Sequence, residues 1–209
     1  MKGSPYFKQA QLMLRVMPHV AAETCFALKG GTVINLYVRD MPRLSVDIDL
    51  TYLPLEPRAT ALANISEALQ RIAAAIRRTV PGATVQEIRA RGAEPVSKLT
   101  VRTAEAMIKI EPNLVLRGSV FSPVEWELSE RAELLFEASA TARTLAVADL
   151  YGGKLCAALD RQHPRDIFDI KILMEGEYSK DGHKETEGIS AKTPGSVGAV
   201  NEGMCRLLL

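Results

Sequence analysis

Apolar positions along the chain switch between two periods, and the switches mark the elements. Tyr6, Phe7, Ala10, Met13, Leu14, Met17 and Val20 recur at helical steps and predict an amphipathic helix over residues 5–20. Phe26-Ala27-Leu28 reads as a short buried strand that runs directly into Lys29-Gly30-Gly31-Thr32. Val33, Ile34, Leu36 and Tyr37 then fill a short helix, and residues 39–45, with Pro42, form a loop. Over residues 46–52 the period drops to two: Ile48 and Leu50 face one way, Asp47 and Asp49 the other. Helical spacing returns at 59–78 through Leu62, Ile65, Leu69, Ile72 and Ile76, and Pro81-Gly82 ends that helix. Three strands follow at 83–90, 96–102 and 105–111; in the last, Ile108 and Ile110 alternate with Lys109 and Glu111. A further strand pair, 114–120 and 124–129, is expected to extend the sheet. Residues 145–159 predict a helix with Thr144 as its N-cap and an apolar stripe of Val147, Leu150, Tyr151, Leu155 and Ala158. His163-Pro164 opens a last helix that runs from Arg165 to about Met174. Beyond Gly176 the periodicity stops, and residues 177–209, rich in Gly, Ser, Thr, Lys and Glu, read as a poorly ordered tail.

Composition narrows this picture only a little. With 47% hydrophobic and 24% charged residues the chain is an ordinary folded domain, and its net charge of +1 announces no polyanionic partner for the molecule as a whole. Charge is uneven, however: eight Lys/Arg face three Glu between Arg71 and Lys109, and seven acids face three Arg between Glu111 and Asp149. The three cysteines, Cys25, Cys156 and Cys205, are far apart and form no CxxC, so a disulfide framework or structural zinc site is not expected. No segment has the pattern of a signal peptide, and no apolar run reaches about 18 residues, so a cytoplasmic protein without a membrane partner is expected.

The candidate chemistry concentrates between Phe26 and Leu50. Carboxylates at i and i+2 of a strand share a face, roughly 6–7 Å apart, so Asp47 and Asp49 are placed to hold divalent metal. Glu111, on the polar face of a later strand, is the natural third acid. The glycine pair stands at a strand-to-helix junction, where bare backbone approaches a phosphate closely. A lone Gly-Gly or a lone Asp-x-Asp is weak, because turns commonly need glycine and exposed strands carry acids by chance. Their conjunction is stronger: three carboxylates aimed one way repel each other unless a cation meets them. Arg43 and Ser45, on the loop entering the carboxylate strand, point to phosphate or to a loop acid. Lys154 falls inside the apolar stripe of its helix; it either meets an anion or snorkels to water. Gly152-Gly153, in mid-helix, suggests close packing or close approach of a ligand. Asp166 sits in the first turn of a helix, where an acid also favours the dipole. The basic run 71–109 lacks interleaved aromatics and reads as a solvated surface before it reads as an RNA groove.

Three stretches resemble one family. KGGTVINLYVRDMPRLSVDIDL is similar to the first motif of the nucleotidyl transferase AbiEii/AbiGii toxin family, IKIEPNLVLRG resembles its middle motif, and ADLYGGKLCAALDRQHPRDIFDIKIL resembles its late Lys…Asp motif. The resemblance covers roughly residues 20–174 and implies an α+β fold: a polymerase-beta-like nucleotidyltransferase core with a mixed sheet, flanking helices and a C-terminal helical lobe. It divides the chain into a core at 1–142, a helical lobe at 143–176 and an aberrant tail at 177–209, which does not continue the family's helical sequence and leaves the lobe truncated. It implies that Lys29, Gly30, Gly31 and Thr32, with Arg43 and Ser45, meet a nucleoside triphosphate. Asp47, Asp49 and Glu111 would bind Mg²⁺, and Lys154 and Asp166 would match the late catalytic pair, the lysine also facing the triphosphate. The function implied is transfer of a nucleotide onto RNA, tRNA above all, by in-line attack at an α-phosphate, with growth arrest or phage defence as the result and a cognate antitoxin as partner. Two other readings stand beside it: transfer to a small-molecule or protein hydroxyl, and an inactive truncated homologue that only binds nucleotide or antitoxin.

Overall fold

The computed structural model describes residues 4–89 and 95–178, and the chain divides into two compact units, Met1–Leu145 and Ala146–Leu209. The first unit is built on a mixed seven-stranded sheet. Its strands are β1 (Phe26–Lys29), β2 (Ile48–Tyr52), β3 (Thr84–Arg89), β4 (Val96–Arg102), β5 (Met107–Asn113), β6 (Val124–Glu127) and β7 (Thr141–Thr144). They lie in the order β3-β4-β5-β2-β1-β7-β6. The pairs β2–β5 and β1–β7 are parallel and the rest antiparallel. The helices of this unit are α1 (Pro5–Ala21), α2 (Gly30–Val33), α3 (Arg58–Thr79) and α4 (Glu130–Phe136).

The apolar periods account for the two long helices. Helix α1 starts where the Ser4 hydroxyl accepts from the Phe7 amide and Pro5 takes the first helical position. Helix α3 buries Ala61, Ile65, Ala68, Leu69, Ile72 and Ile76, a single stripe at steps of three and four. That stripe packs on β3 and β4, over a core face that includes Leu99, Val101, Ile108 and Ile110. Burying each large apolar side chain contributes roughly 1.5–3 kcal/mol. The other face of β5 carries Met107 and Lys109, both exposed, and Glu111, half-buried.

Strand β1 passes straight into α2, and α2 into a wider π-helical turn at Ile34–Val38, every residue of which is buried. The Arg39 amide donates to the Ile34 carbonyl five residues back, at 2.9 Å, which closes that turn.

Three sequence expectations need correction. Residues 114–120 form no strand: Asn113 Oδ1 accepts from the amides of Val115 and Leu116, both at 2.9 Å, and the Gly118 amide donates to the Tyr52 carbonyl. These bonds turn the chain away from the ladder after β5. The segment expected at 124–129 does join the sheet, as β6, through β7 at the far edge; neither β7 nor α4 was predicted, because Thr-Ala-Arg-Thr and Glu-Arg-Ala-Glu carry no decisive apolar period. Thr144 does not cap a helix. It closes β7, fully buried, and its hydroxyl donates to the Leu145 carbonyl at 2.9 Å.

The second unit is described by α5 (Val147–Arg161) and α6 (Pro164–Tyr178), which pack against each other across a turn with Gln162 at φ 50°. Helix α6 therefore runs past the expected end at Met174 and takes in residues 177 and 178. The rest of the expected tail, from 179 on, lies outside the described residues. Close packing does not explain Gly153, since a Cβ there would meet nothing within 4 Å. Among the described residues no helix is long and apolar enough to cross a membrane.

Candidate active site

The sheet register assembles the site. Asp49 pairs with Lys29 across the antiparallel β1–β2 ladder and with Glu111 across the parallel β2–β5 ladder. Glu111 in turn forms an ion pair with Lys98 of β4, Nζ to Oε1 at 3.3 Å. One row across four neighbouring strands thus reads Lys29, Asp49, Glu111, Lys98, two carboxylates flanked by two ammonium groups. Directly opposed side chains on adjacent strands stand close enough to act on one ligand.

The glycine pair fits around this row. Gly30 has φ +77°, and a Cβ built on it would fall 2.6 Å from Asp49 Oδ2. A Cβ on Gly31 would fall 2.6 Å from a terminal nitrogen of Arg43 and 3.2 Å from Ser45 Oγ. The glycines therefore leave room for a carboxylate and a guanidinium to lie against bare backbone. Thr32 is buried, and its hydroxyl donates to the Asp47 carbonyl at 2.6 Å and lies 3.2 Å from Ser45 Oγ. In this conformation the Thr32 hydroxyl binds the loop to the entry of β2. Asp47 itself is exposed and lies one residue ahead of β2, not within it as the strand expected at 46–52 would have it.

In the second unit Lys154 is buried, and its ammonium meets Asp166 Oδ1 at 3.0 Å and Asp169 Oδ2 at 2.8 Å. Arg161 holds the other oxygen of Asp166 at 3.0 Å. This resolves the question the inward lysine posed: aspartates of α6 are its anionic partners. Burial alone would raise the Asp166 carboxyl, but the hydrogen bond and charge of Lys154, with Arg161 and His163, bring it below the ordinary carboxylate range. Asp169 escaped the sequence reading, although its place three residues after Asp166 puts both on one helix face. Lys98 escaped it too; the signal was the alternation of Lys98, Thr100 and Arg102 with Leu99 and Val101.

Among the described residues no group of three His, Cys, Asp or Glu side chains is gathered to hold a metal ion. The donor set suits one in kind: Asp49 and Glu111 are register partners, Asp47 stands just ahead of them, and carboxylate oxygens favour hard divalent cations such as Mg²⁺.

The family model of the nucleotidyl transferase AbiEii toxin of type IV toxin–antitoxin systems matches residues 11–193. The chain belongs to the AbiEii nucleotidyl transferase toxin family. The match reaches beyond the quoted motifs at both ends. No curated protein matches the chain. Among solved structures, the AbiEii-family fold seen here is similar to MenT4, a nucleotidyltransferase toxin of Mycobacterium tuberculosis, with a TM-score of 0.56 at 18% identity over 82% of this chain. The chain spans 61% of the length of that neighbour. At that identity the likeness speaks for the fold, which is the expected α+β class with a mixed sheet.

Proposed function

We propose that this AbiEii-family chain is a Mg²⁺-dependent nucleotidyltransferase that moves a nucleotide from a nucleoside triphosphate to a hydroxyl of an RNA acceptor, tRNA first, and that a cognate antitoxin opposes it. The observation that carries the reading is the pairing of Asp49 with Glu111 on parallel strands, with the Gly30 backbone packed against the Asp49 carboxylate. In it, Gly30 and Gly31 admit the triphosphate to the backbone, and Lys29, Arg43 and Ser45 supply charge and donors around it. Thr32 acts here by fixing the backbone of Asp47. Asp47, Asp49 and Glu111 would hold Mg²⁺, which supplies charge stabilisation at the α-phosphate and the leaving pyrophosphate. Glu111 orients the attacking hydroxyl and accepts its proton at a carboxylate oxygen. Lys154 and Asp166 take the part of the late Lys–Asp pair, with the lysine held between two aspartates.

The test is incubation of the purified chain with each α-labelled nucleoside triphosphate, Mg²⁺ and total RNA. Label in the tRNA fraction is the expected result. Label on protein or a small hydroxyl compound would transfer the reading to another acceptor. Asp47→Ala and Asp49→Ala are each expected to lower transfer at least a hundredfold, and a fully active double variant would sink the metal reading.

A further inference from the structure

The basic run of residues 71–109 separates in three dimensions into groups with different surroundings. On α3, Arg71 is held by Glu23 at 2.8 Å and Arg77 by Glu87 at 3.0 Å, so these charges are neutralised locally. On the sheet the alternation of β4 and β5 sorts three more, Lys98, Arg102 and Lys109. Leu99 pairs with Ile110 and Val101 with Ile108 on the core face, which leaves Lys98, Arg102 and Lys109 on the opposite face. Lys109 stands directly across from Thr100, and so diagonally between Lys98 and Arg102, at roughly 7–8 Å from each. Arg102 and Lys109 are both exposed, and among the described residues neither makes an ion pair.

Two features distinguish this triangle from a scatter of solvated charges. Like charges at neighbouring cross-strand positions are destabilising, and no acid of β3 or β4 shares the face to relieve them. Glu87, the acid of β3, pairs across to Leu99 and is turned to the α3 side. The acid on this face of β5 is Glu111, at the Lys98 end. The strip therefore begins at the proposed catalytic row and leads away from it, flanked by Gln86, whose amide can donate a hydrogen bond, and by Thr84, whose hydroxyl donates to the Arg102 carbonyl at 3.4 Å.

We propose that Lys98, Lys109 and Arg102 form the track on which the sugar-phosphate backbone of the acceptor RNA lies, delivering its hydroxyl to Glu111; this rests on the RNA-acceptor reading above. No aromatic side chain of β3, β4 or β5 stands on this face to stack a base. Recognition is thus by phosphate charge, indifferent to base sequence and strongly dependent on salt.

The test measures the affinity of the full chain for a fluorescent single-stranded RNA over a range of salt. With Arg102→Gln and Lys109→Gln combined, the slope of log K against log salt is expected to fall by about 1.4, and affinity at 0.1 M salt roughly twentyfold. Arg78→Gln, an exposed charge on α3, is expected to leave the slope unchanged. Circular dichroism confirms that each variant is folded. A double variant with the wild-type slope overturns the track while the RNA reading stands. An equal loss of affinity for a nucleoside triphosphate alone would assign the strip to the nucleotide and overturn the proposal as well. A wild-type chain that binds no RNA and labels another acceptor would remove both readings together.

Discussion

At the scale of single residues, the glycine pair shows how far the sequence could be read. That Gly30-Gly31 marks a close approach was legible; that Gly30 makes room for Asp49 and Gly31 for Arg43 was not, because those contacts depend on the register of β1 on β2. The two glycines therefore respond differently to a methyl group. Gly30→Ala places a Cβ 2.6 Å from Asp49 Oδ2 at a left-handed φ of +77°, which costs about 1–2 kcal/mol in backbone strain. Its melting temperature is expected to fall by several degrees, with Asp49 displaced and transfer lost. Gly31→Ala meets the end of a flexible arginine, so its melting temperature should stay near that of the wild type while nucleotide affinity drops. Calorimetry beside a nucleotide titration checks both. Thr32 makes the same point from the other side: the resemblance implied a phosphate contact, and its burial and its 2.6 Å bond to the Asp47 carbonyl, which no local pattern announces, give it a backbone to hold.

At the scale of elements, the long apolar periods of α1 and α3 were plain, and short polar elements were not. Residues 114–120 looked strand-like, yet a single Asn113 side chain captures two amides and ends the ladder. The α5–α6 pair is where burial decides the energetics. Replacing Lys154 by Met leaves the carboxylates of Asp166 and Asp169 buried without their ammonium, at a cost of roughly 3–5 kcal/mol. Loss of α5–α6 helicity at lower temperature, followed by circular dichroism, is the expected result. The same cluster sets an acid limit. Asp166 titrates lower folded than unfolded, so it contributes stability that is fully present above its unfolded value, near pH 4, and lost as pH falls through the lower folded value. Asp166→Asn is expected to flatten that acid slope.

At the scale of the whole molecule, two compact units predict two responses. The single tryptophan, Trp126, is buried in β6 of the first unit, whereas the Lys154–Asp166 pair belongs to the second. On acidification below about pH 4, helical circular dichroism is expected to fall before Trp126 emission moves to the red; coincident transitions would count against separate units. Family membership was legible from three quoted motifs, because those residues are short-range patterns. The meeting of Asp49 with Glu111 was only half legible, since a parallel ladder has no turn to announce it. That parallel pairing also sets a timetable for biosynthesis. The chain between the two acids holds α3, β3 and β4, and a growing polypeptide carries Asp49 long before it carries Glu111. On the proposed function, a chain that ends before β5 lacks Glu111 and one that ends before α6 lacks Asp166, so transfer is expected only from a chain long enough to carry both.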